Sequence, residues 1–217
     1  EKTTINLPKL KSTKFILSLA GVKVVTSSEL AHPQLLFEGA VDAFEHNFTD
    51  GHLNVIEKIQ SSTVVLAQNG NVRVNGYNGV FIRGNLNDVV ISDGSIQVNG
   101  MDINLGTRPS SNTAYRRASL LLPKEHPASH SIDSKSGNVE LGNLTASLIR
   151  VATMSGDIAL RGSEIETIAL KTMSGDIIVE DTKSPNSVSA ETMSGDIGIA
   201  DSESTLWRLS TMSGVLE

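Results

Sequence analysis

The sequence predicts an all-β chain wound as a parallel β-helix, or β-solenoid, with coils of about 19–20 residues and little helix. Three observations carry this. A short turn sequence recurs five times in the last 83 residues: Lys135-Ser136-Gly137-Asn138-Val139, Met154-Ser155-Gly156-Asp157-Ile158, Met173-Ser174-Gly175-Asp176-Ile177, Met193-Ser194-Gly195-Asp196-Ile197 and Met212-Ser213-Gly214-Val215-Leu216. Its glycines fall at 137, 156, 175, 195 and 214, so the steps are 19, 19, 20 and 19. Apolar residues alternate with polar ones on both sides of each turn, and many of the periodic sites are β-branched, which favours strand over helix. In a repeat of this length each unit buries its apolar side against its neighbours.

One strand precedes each turn. Ile149-x-Val151-x-Thr153, Ile168-x-Leu170-x-Thr172, Val188-x-Ala190-x-Thr192 and Trp207-x-Leu209-x-Thr211 align in phase with the glycines. A second strand follows, with columns Val139/Ile158/Ile177/Ile197 and Leu141/Leu160/Val179/Ile199. Stacked coils place like residues about 4.8 Å apart, giving a continuous aliphatic interior. Thr153, Thr172, Thr192 and Thr211 then form an internal hydroxyl ladder, whose expected role is hydrogen bonding along the stack; nucleophilic use needs a neighbouring base, and none recurs.

The pattern extends upstream. Gly51-His52-Leu53-Asn54-Val55, Gly70-Asn71-Val72-Arg73-Val74 and Gly94-Ser95-Ile96-Gln97-Val98 read as further coils, opened by the turn dipeptides Asp50-Gly51, Asn69-Gly70 and Asp93-Gly94, whose glycines tolerate φ > 0. The stretch with the best claim to a helix is Glu29 to Phe48, broken by Pro33. A coarser duplication pairs Ile5-Asn6-Leu7-Pro8-Lys9 with Leu120-Leu121-Leu122-Pro123-Lys124, and Gly21-Val22-Lys23-Val24 with Gly137-Asn138-Val139-Glu140-Leu141. Leu-Pro-Lys reads as a strand that ends at a proline corner. This suggests two half-solenoids, 1–105 and 118–217, joined by an irregular Pro/Ser-rich segment, 106–117. One continuous rod is the favoured arrangement, because an unpaired parallel edge invites aggregation. Parallel crossovers favour right-handed winding.

Composition narrows the classes. Of 217 residues 39% are hydrophobic, ample for a core, and the 4% aromatic content suits narrow coils filled by aliphatic side chains. The net charge of −6 argues against a nucleic-acid partner, whose binders carry a basic face. The chain has no cysteine, so neither disulfides nor thiolate metal sites are available. No signal peptide or membrane span is visible. The chain begins at Glu1 and stops within a repeat, which predicts a piece of a longer protein whose other domains bring it near a membrane surface.

The repeated Ser-Gly-Asp-Ile turns, with the Leu-Pro-Lys strand about 15 residues before the first of them, resemble a bacterial family of adhesin-like proteins of unknown function with a β-solenoid fold. The resemblance spans most of residues 118–217 and, more loosely, 1–105. Members include Gram-positive envelope-stress proteins of the Lia type, which act at the cell surface and are linked to the antimicrobial-peptide response. It implies an extracellular or cell-surface location and carries over no catalytic residue. The turn at Gly214-Val215 departs from the pattern by lacking its Asp.

Two further columns are candidate sites. Asp157, Asp176 and Asp196 stack at roughly 5 Å. Either they hold a cation such as Ca²⁺, or each is a turn residue whose carboxylate accepts local backbone N–H bonds. The second reading is preferred, because Ca²⁺-binding β-rolls use nine-residue repeats. Met154, Met173, Met193 and Met212 form the other column. They either fold over the corner and plug the interior beside Thr153 and Ser155, the reading preferred on packing grounds, or face outward as a soft apolar stripe for a partner. That stripe, with the Asp column, is the candidate binding face. His126-x-x-x-His130 lies in a Pro-flanked stretch unsuited to helical metal geometry, and Tyr115-Arg116-Arg117 reads as a solvated loop with a weak claim on an anionic glycan or lipid head group. No catalytic triad, phosphate loop, cofactor motif or metal site is specified. The leading expectation is a non-enzymatic surface module that binds a protein, peptide or cell-wall component. The alternatives are a solenoid that self-associates end to end and a polysaccharide-active β-helix enzyme using the Asp column.

Overall fold

The computed structural model describes residues 2–58, 64–68, 71–75, 89–92, 95–98, 101–103, 116–124 and 126–217. The chain divides into two compact units, Glu1–Lys58 with Tyr115–Glu217, and Ile59–Ala114.

The first unit is a stack of parallel rungs built from two sheets. The order in one sheet is Lys2–Asn6, Gln34–Glu38, Arg117–Pro123, Gly21–Ser27, Val139–Gly142, Ile158–Arg161, Ile177–Glu180 and Ile197–Ala200. The order in the other runs from Phe44–Thr49 through His52–Glu57, Ser12–Ile16, Ser129–Asp133 and Thr145–Ala152 to Glu164–Lys171, which pairs with Ser187–Thr192, which in turn pairs with Trp207–Thr211. Pairing is parallel from Arg117–Pro123 onward in the first sheet and from His52–Glu57 onward in the second; antiparallel pairs occur where Gln34–Glu38 meets Lys2–Asn6 and Arg117–Pro123, and where Phe44–Thr49 meets His52–Glu57. Among the described residues there is no α-helix, only a single 3₁₀ turn at Val41–Ala43.

The expected columns are in register. Val139 pairs with Ile158, Ile158 with Ile177 and Ile177 with Ile197, while Leu141, Leu160, Val179 and Ile199 run alongside. In the other sheet Ile149, Ile168, Val188 and Trp207 are successive partners. Inward residues of both sheets form one buried cluster. Burial of each such Ile, Leu or Val contributes about 1.5–3 kcal/mol. The exposed pairs Arg161–Glu180 and Lys171–Glu191 contribute about 0–1 kcal/mol each, so the interior decides the fold.

The first 58 residues do not stack as a run of their own. Gly21–Ser27 lies between Arg117–Pro123 and Val139–Gly142, with Val22 opposite Val139 and Val24 opposite Leu141. Ser12–Ile16 lies between Ser129–Asp133 and His52–Glu57. Of the duplicated segments, Gly21–Ser27 and Val139–Gly142 are therefore direct neighbours in the stack, whereas Gln34–Glu38 separates Lys2–Asn6 from Arg117–Pro123.

Two expectations need correction. Glu29 to Phe48 contains strands Gln34–Glu38 and Phe44–Thr49 flanking the 3₁₀ turn, because Pro33 blocks a helix and the alternation of Leu35 and Phe37 buries one face of a strand. The segments after Gly70 and Gly94 are not parallel rungs. Val64–Gln68 pairs antiparallel with Asn71–Asn75, and Val89–Ser92, Ser95–Val98 and Met101–Ile103 form an antiparallel meander. Alternation says that one face is buried and is silent about pairing direction, whereas Asn-Gly and Asp-Gly between two apolar runs are hairpin signals. The dipeptides Asn69-Gly70 and Asp93-Gly94 themselves lie outside the described residues, as does the joint at 106–115. Asp50 and Gly51 do adopt positive φ, 53° and 88°.

The turn glycines serve a different purpose. None of Gly137, Gly156, Gly175, Gly195 and Gly214 has positive φ. A β-carbon on any of them would overlap backbone, namely the carbonyl oxygen of Ala20 for Gly137 and that of the preceding turn glycine for the other four. The rungs approach so closely at this corner that a methyl group has no place. Gly175→Ala is therefore expected to destabilise the fold by about 1–3 kcal/mol through overpacking. Gly198→Ala, whose new β-carbon meets nothing within 4 Å, is expected to be neutral or stabilising by up to about 1 kcal/mol. Denaturant midpoints of the two variants check this, and equal midpoints would contradict it.

Candidate functional site

The corner that carries the repeat is built from four columns. The first is hydroxyl. Thr153 Oγ1 accepts from the Gly156 N–H at 3.1 Å, and Thr172 Oγ1 accepts from the Gly175 N–H at 3.1 Å and donates to the Gly156 carbonyl at 3.2 Å. Thr192 and Thr211 donate to the carbonyls of Gly175 and Gly195 at 3.1 and 3.0 Å. Ser134 takes the same place one rung earlier, accepting from Gly137 N–H at 3.1 Å. The hydroxyls bond to glycine backbone and not to one another, so the ladder is satisfied and leaves no activated nucleophile.

The second column is methionine. Met154, Met173, Met193 and Met212 are 51%, 42%, 47% and 78% exposed. They stand outside the corner, against the plugging arrangement preferred from the sequence, because the space beneath is taken by threonine hydroxyls and close-packed glycine backbone. Their backbone is in register, since Ser174, Ser194 and Ser213 donate N–H to the carbonyls of Met154, Met173 and Met193, each at 3.0 Å. The exposed serines 155, 174, 194 and 213 form the third column beside them. The result is a ridge of thioethers and hydroxyls on four successive rungs, with Lys135 in line with the methionines one rung before Met154.

The fourth column is carboxylate. Asn138 Oδ1 accepts from Asp157 N–H at 3.0 Å, Asp157 Oδ1 from Asp176 N–H at 3.1 Å, Asp176 Oδ1 from Asp196 N–H at 2.8 Å, and Asp196 Oδ1 from Val215 N–H at 2.7 Å. Each side chain thus caps the backbone of the next rung, 19 or 20 residues on, rather than its own turn. That Asn138 does the same task shows the geometry needs an acceptor and not a charge. Among the described residues no cluster of three or more His, Cys, Asp or Glu side chains is arranged to hold a metal ion.

Several important polar groups were not legible as such. Glu57 is buried, and its Oε2 accepts from the N–H groups of Ser18, Leu19 and Ala20 at 2.7, 2.8 and 3.0 Å while Oε1 pairs with Arg116 at 3.2 Å. Burial alone raises its carboxyl pKa; the three N–H donors and the guanidinium outweigh burial and hold it below the usual 4.5. The alternation Leu53, Val55, Glu57 was the available signal for an inward carboxylate. Arg116 is thus fixed rather than a solvated loop residue, and Arg117 opens a strand and pairs with Glu140 at 3.1 Å. His126 and His130 are both buried in the core. The opposite corner carries its own column, Asn143, Gly162, Asp181 and Asp201, with φ of 54°, 58°, 47° and 48°; these residue types tolerate that conformation, and their spacing follows the same period.

A family model described as Toastrack DUF4097 matches residues 1–217. No curated protein matches the chain. Among solved structures the chain is similar to a candidate cell adhesion protein from Clostridium sporogenes, with 9% identity, a TM-score of 0.42 and coverage of 100% of this chain and 99% of that one. A candidate adhesin from Bacteroides fragilis gives 14% identity, a TM-score of 0.42 and coverage of 100% and 96%. A candidate lipid-binding protein from Parabacteroides distasonis gives 10% identity, a TM-score of 0.24 and coverage of 99% and 96%. At these scores and identities the likeness transfers no function to this chain.

Asp176→Ala removes the acceptor for Asp196 N–H and is expected to cost about 0.5–2 kcal/mol, as for loss of a helix cap. Asp176→Asn is expected to cost less than half of that, on the precedent of Asn138. Thermal unfolding of both variants checks the difference, and equal losses would mean that charge matters more than the acceptor. Because the Glu57 pKa is depressed on folding, its contribution is complete above 4.5 and declines as pH falls through the lower folded value. The chain is therefore expected to lose stability on acidification below 4.5, and Glu57→Gln to be less stable at pH 7 with a flatter acid limb in chemical denaturation.

Proposed function

Because the chain belongs to the Toastrack DUF4097 family, we propose that it is a non-enzymatic, adhesin-like module that presents a rigid solenoid face at the bacterial cell surface. The observation that carries this reading is the methionine–serine ridge: apolar side chains left 42–78% exposed at the same place on four successive rungs. An exposed apolar residue standing alone needs no explanation, but a contiguous column of them on a rigid frame suits a partner surface. Methionine is flexible and polarizable, so such a ridge adapts to an extended apolar segment of a protein or peptide without the frame moving. The repeated hydroxyls and Asp carboxylates, which a polysaccharide-cleaving enzyme would need free, are engaged with backbone N–H and C=O groups. A right-handed winding of 19–20-residue coils and a place in the cell-envelope stress response belong to the same proposal.

The test is binding of cell-envelope fractions and isolated envelope proteins to the chain and to a variant with Met154, Met173, Met193 and Met212 all changed to Ser. The variant is expected to keep its β-sheet circular dichroism and to lose binding at least about tenfold, the loss of about 1.4 kcal/mol or more that removing four apolar contacts entails. Unchanged binding by the variant would remove the ridge from the reading. An Asp157/Asp176/Asp196→Asn variant that abolished turnover of an acidic polysaccharide would replace it with the enzymatic alternative.

A further inference from the structure

His130 stands where the stack calls for an aliphatic residue. In the second sheet its column runs Leu53, Thr13, His130, Ile149, Ile168, Val188. The ring is 1% exposed. Its Nδ1 lies 2.8 Å from Thr13 Oγ1, and its Nε2 has no hydrogen-bond partner. One rung corner away, His126 is also buried, and its Nε2 accepts the Leu10 N–H at 3.1 Å. That bond fixes the His126 tautomer as neutral, with Nε2 unprotonated. Both rings therefore join the same two segments, Leu10–Thr13 and His126–His130, which lie 116 and 117 residues apart in sequence. Between the rings, backbone bonds from Ser129 N–H to the Lys11 carbonyl at 3.1 Å and from the paired strands complete the seam.

We propose that the two histidines form an acid-operated latch, which holds the N-terminal strands in the solenoid while both rings are neutral and releases them when the rings take up protons. A proton on His126 Nε2 turns the acceptor into a donor facing the Leu10 N–H, so that bond is lost and two donors oppose each other. A second proton on His130 leaves a buried cation whose Nε2–H has no acceptor. The charged groups acting on the rings offer no relief: Lys9 acts on His126 and His126 on His130, all cationic or becoming so, and among the described residues no carboxylate pairs with either ring. Thr13, Ile132 and Ile149 around His130 are uncharged. In keeping with this geometry, burial first, and the neighbouring His126 second, push His130 down from 6.5 to about 4, and burial and Lys9 push His126 down. A histidine held neutral by folding leaves stability complete above its unfolded value and lowers it as pH falls from 6.5 toward 4. The Glu57 contribution is complete above 4.5, so it leaves the upper part of this window to the histidines.

The test is amide hydrogen exchange by mass spectrometry on the full chain at pH 7.5 and 5.0, with rates corrected for intrinsic exchange. In this window the opening constant rises about tenfold per pH unit for each such histidine, so protection over residues 7–16 and 126–133 is expected to fall by at least about 30-fold. Protection over residues 158–200 is expected to change by less than about threefold. In His126→Gln, whose amide oxygen accepts the Leu10 N–H without titrating, the fall is expected to shrink to the part that His130 alone supplies, and in His126→Gln/His130→Leu the seam is expected to keep its protection at pH 5.0. The single variant supplies the answer if the double one does not fold. Seam protection equal at both pH values, loss spread evenly over all rungs, or unchanged acid sensitivity in His126→Gln would each overturn the proposal.

Discussion

The structure depends on how closely successive rungs approach at one corner. There the backbone of each turn glycine rests against the carbonyl oxygen of the rung below, that of Ala20 for Gly137 and of the preceding turn glycine for the others, with no room for a β-carbon. Everything else at the corner follows from that contact. Threonine hydroxyls can reach glycine N–H and C=O groups because nothing intervenes. An Asp or Asn side chain can span to the N–H of the next rung because the rungs are in register and one strand spacing apart. Methionine is excluded from the interior for the same reason and is left on the outside. A single steric condition, repeated five times, thus sorts four residue types into an inner hydroxyl column, a backbone contact, a capping column and an exposed ridge.

Much of the stack was legible because period and side-chain alternation are direct consequences of geometry. The aliphatic columns beginning at Val139 and Ile149 could be aligned from spacing alone, and their register follows that alignment. Pairing direction was not legible from alternation, because a strand with one buried face looks the same in a parallel rung and in a hairpin; for the segments after Gly70 and Gly94 the Asn-Gly and Asp-Gly dipeptides were the signal that separates the two. The role of the repeat glycines was not legible, for a related reason. Sequence shows that a side chain is absent, and the absence serves equally a left-handed backbone, as at Gly51, or a close contact, as at Gly175.

The polar interior was the hardest part to see. Glu57 and His130 each occupy an inward position of a strand whose other inward residues are aliphatic, Leu53 and Val55 beside Glu57 and Ile132 beside His130. Alternation placed them inside, but charge and polarity argued for the surface, and no pattern along the chain reveals partners as distant as Ser18–Ala20 or Thr13. The candidate site shows the opposite balance. The Met, Ser and Asp columns could be listed residue by residue from the repeat, yet which of them faces solvent depended on the depth of the corner, a quantity fixed only by contacts between rungs.

The interleaving of Ser12–Ile16 between His52–Glu57 and Ser129–Asp133 has a consequence for biosynthesis. One long edge of this early strand finds its partner some 40 residues later, but the other waits until the ribosome has added more than 100 residues. Throughout translation of residues 59–114 the nascent chain carries a sticky, half-satisfied β edge, including Phe15, that only downstream sequence can cover. Folding cannot proceed rung by rung from the N-terminus as in a simple spiral. The seam pairs residues 117 apart in sequence, the kind of non-local contact that raises contact order and slows folding.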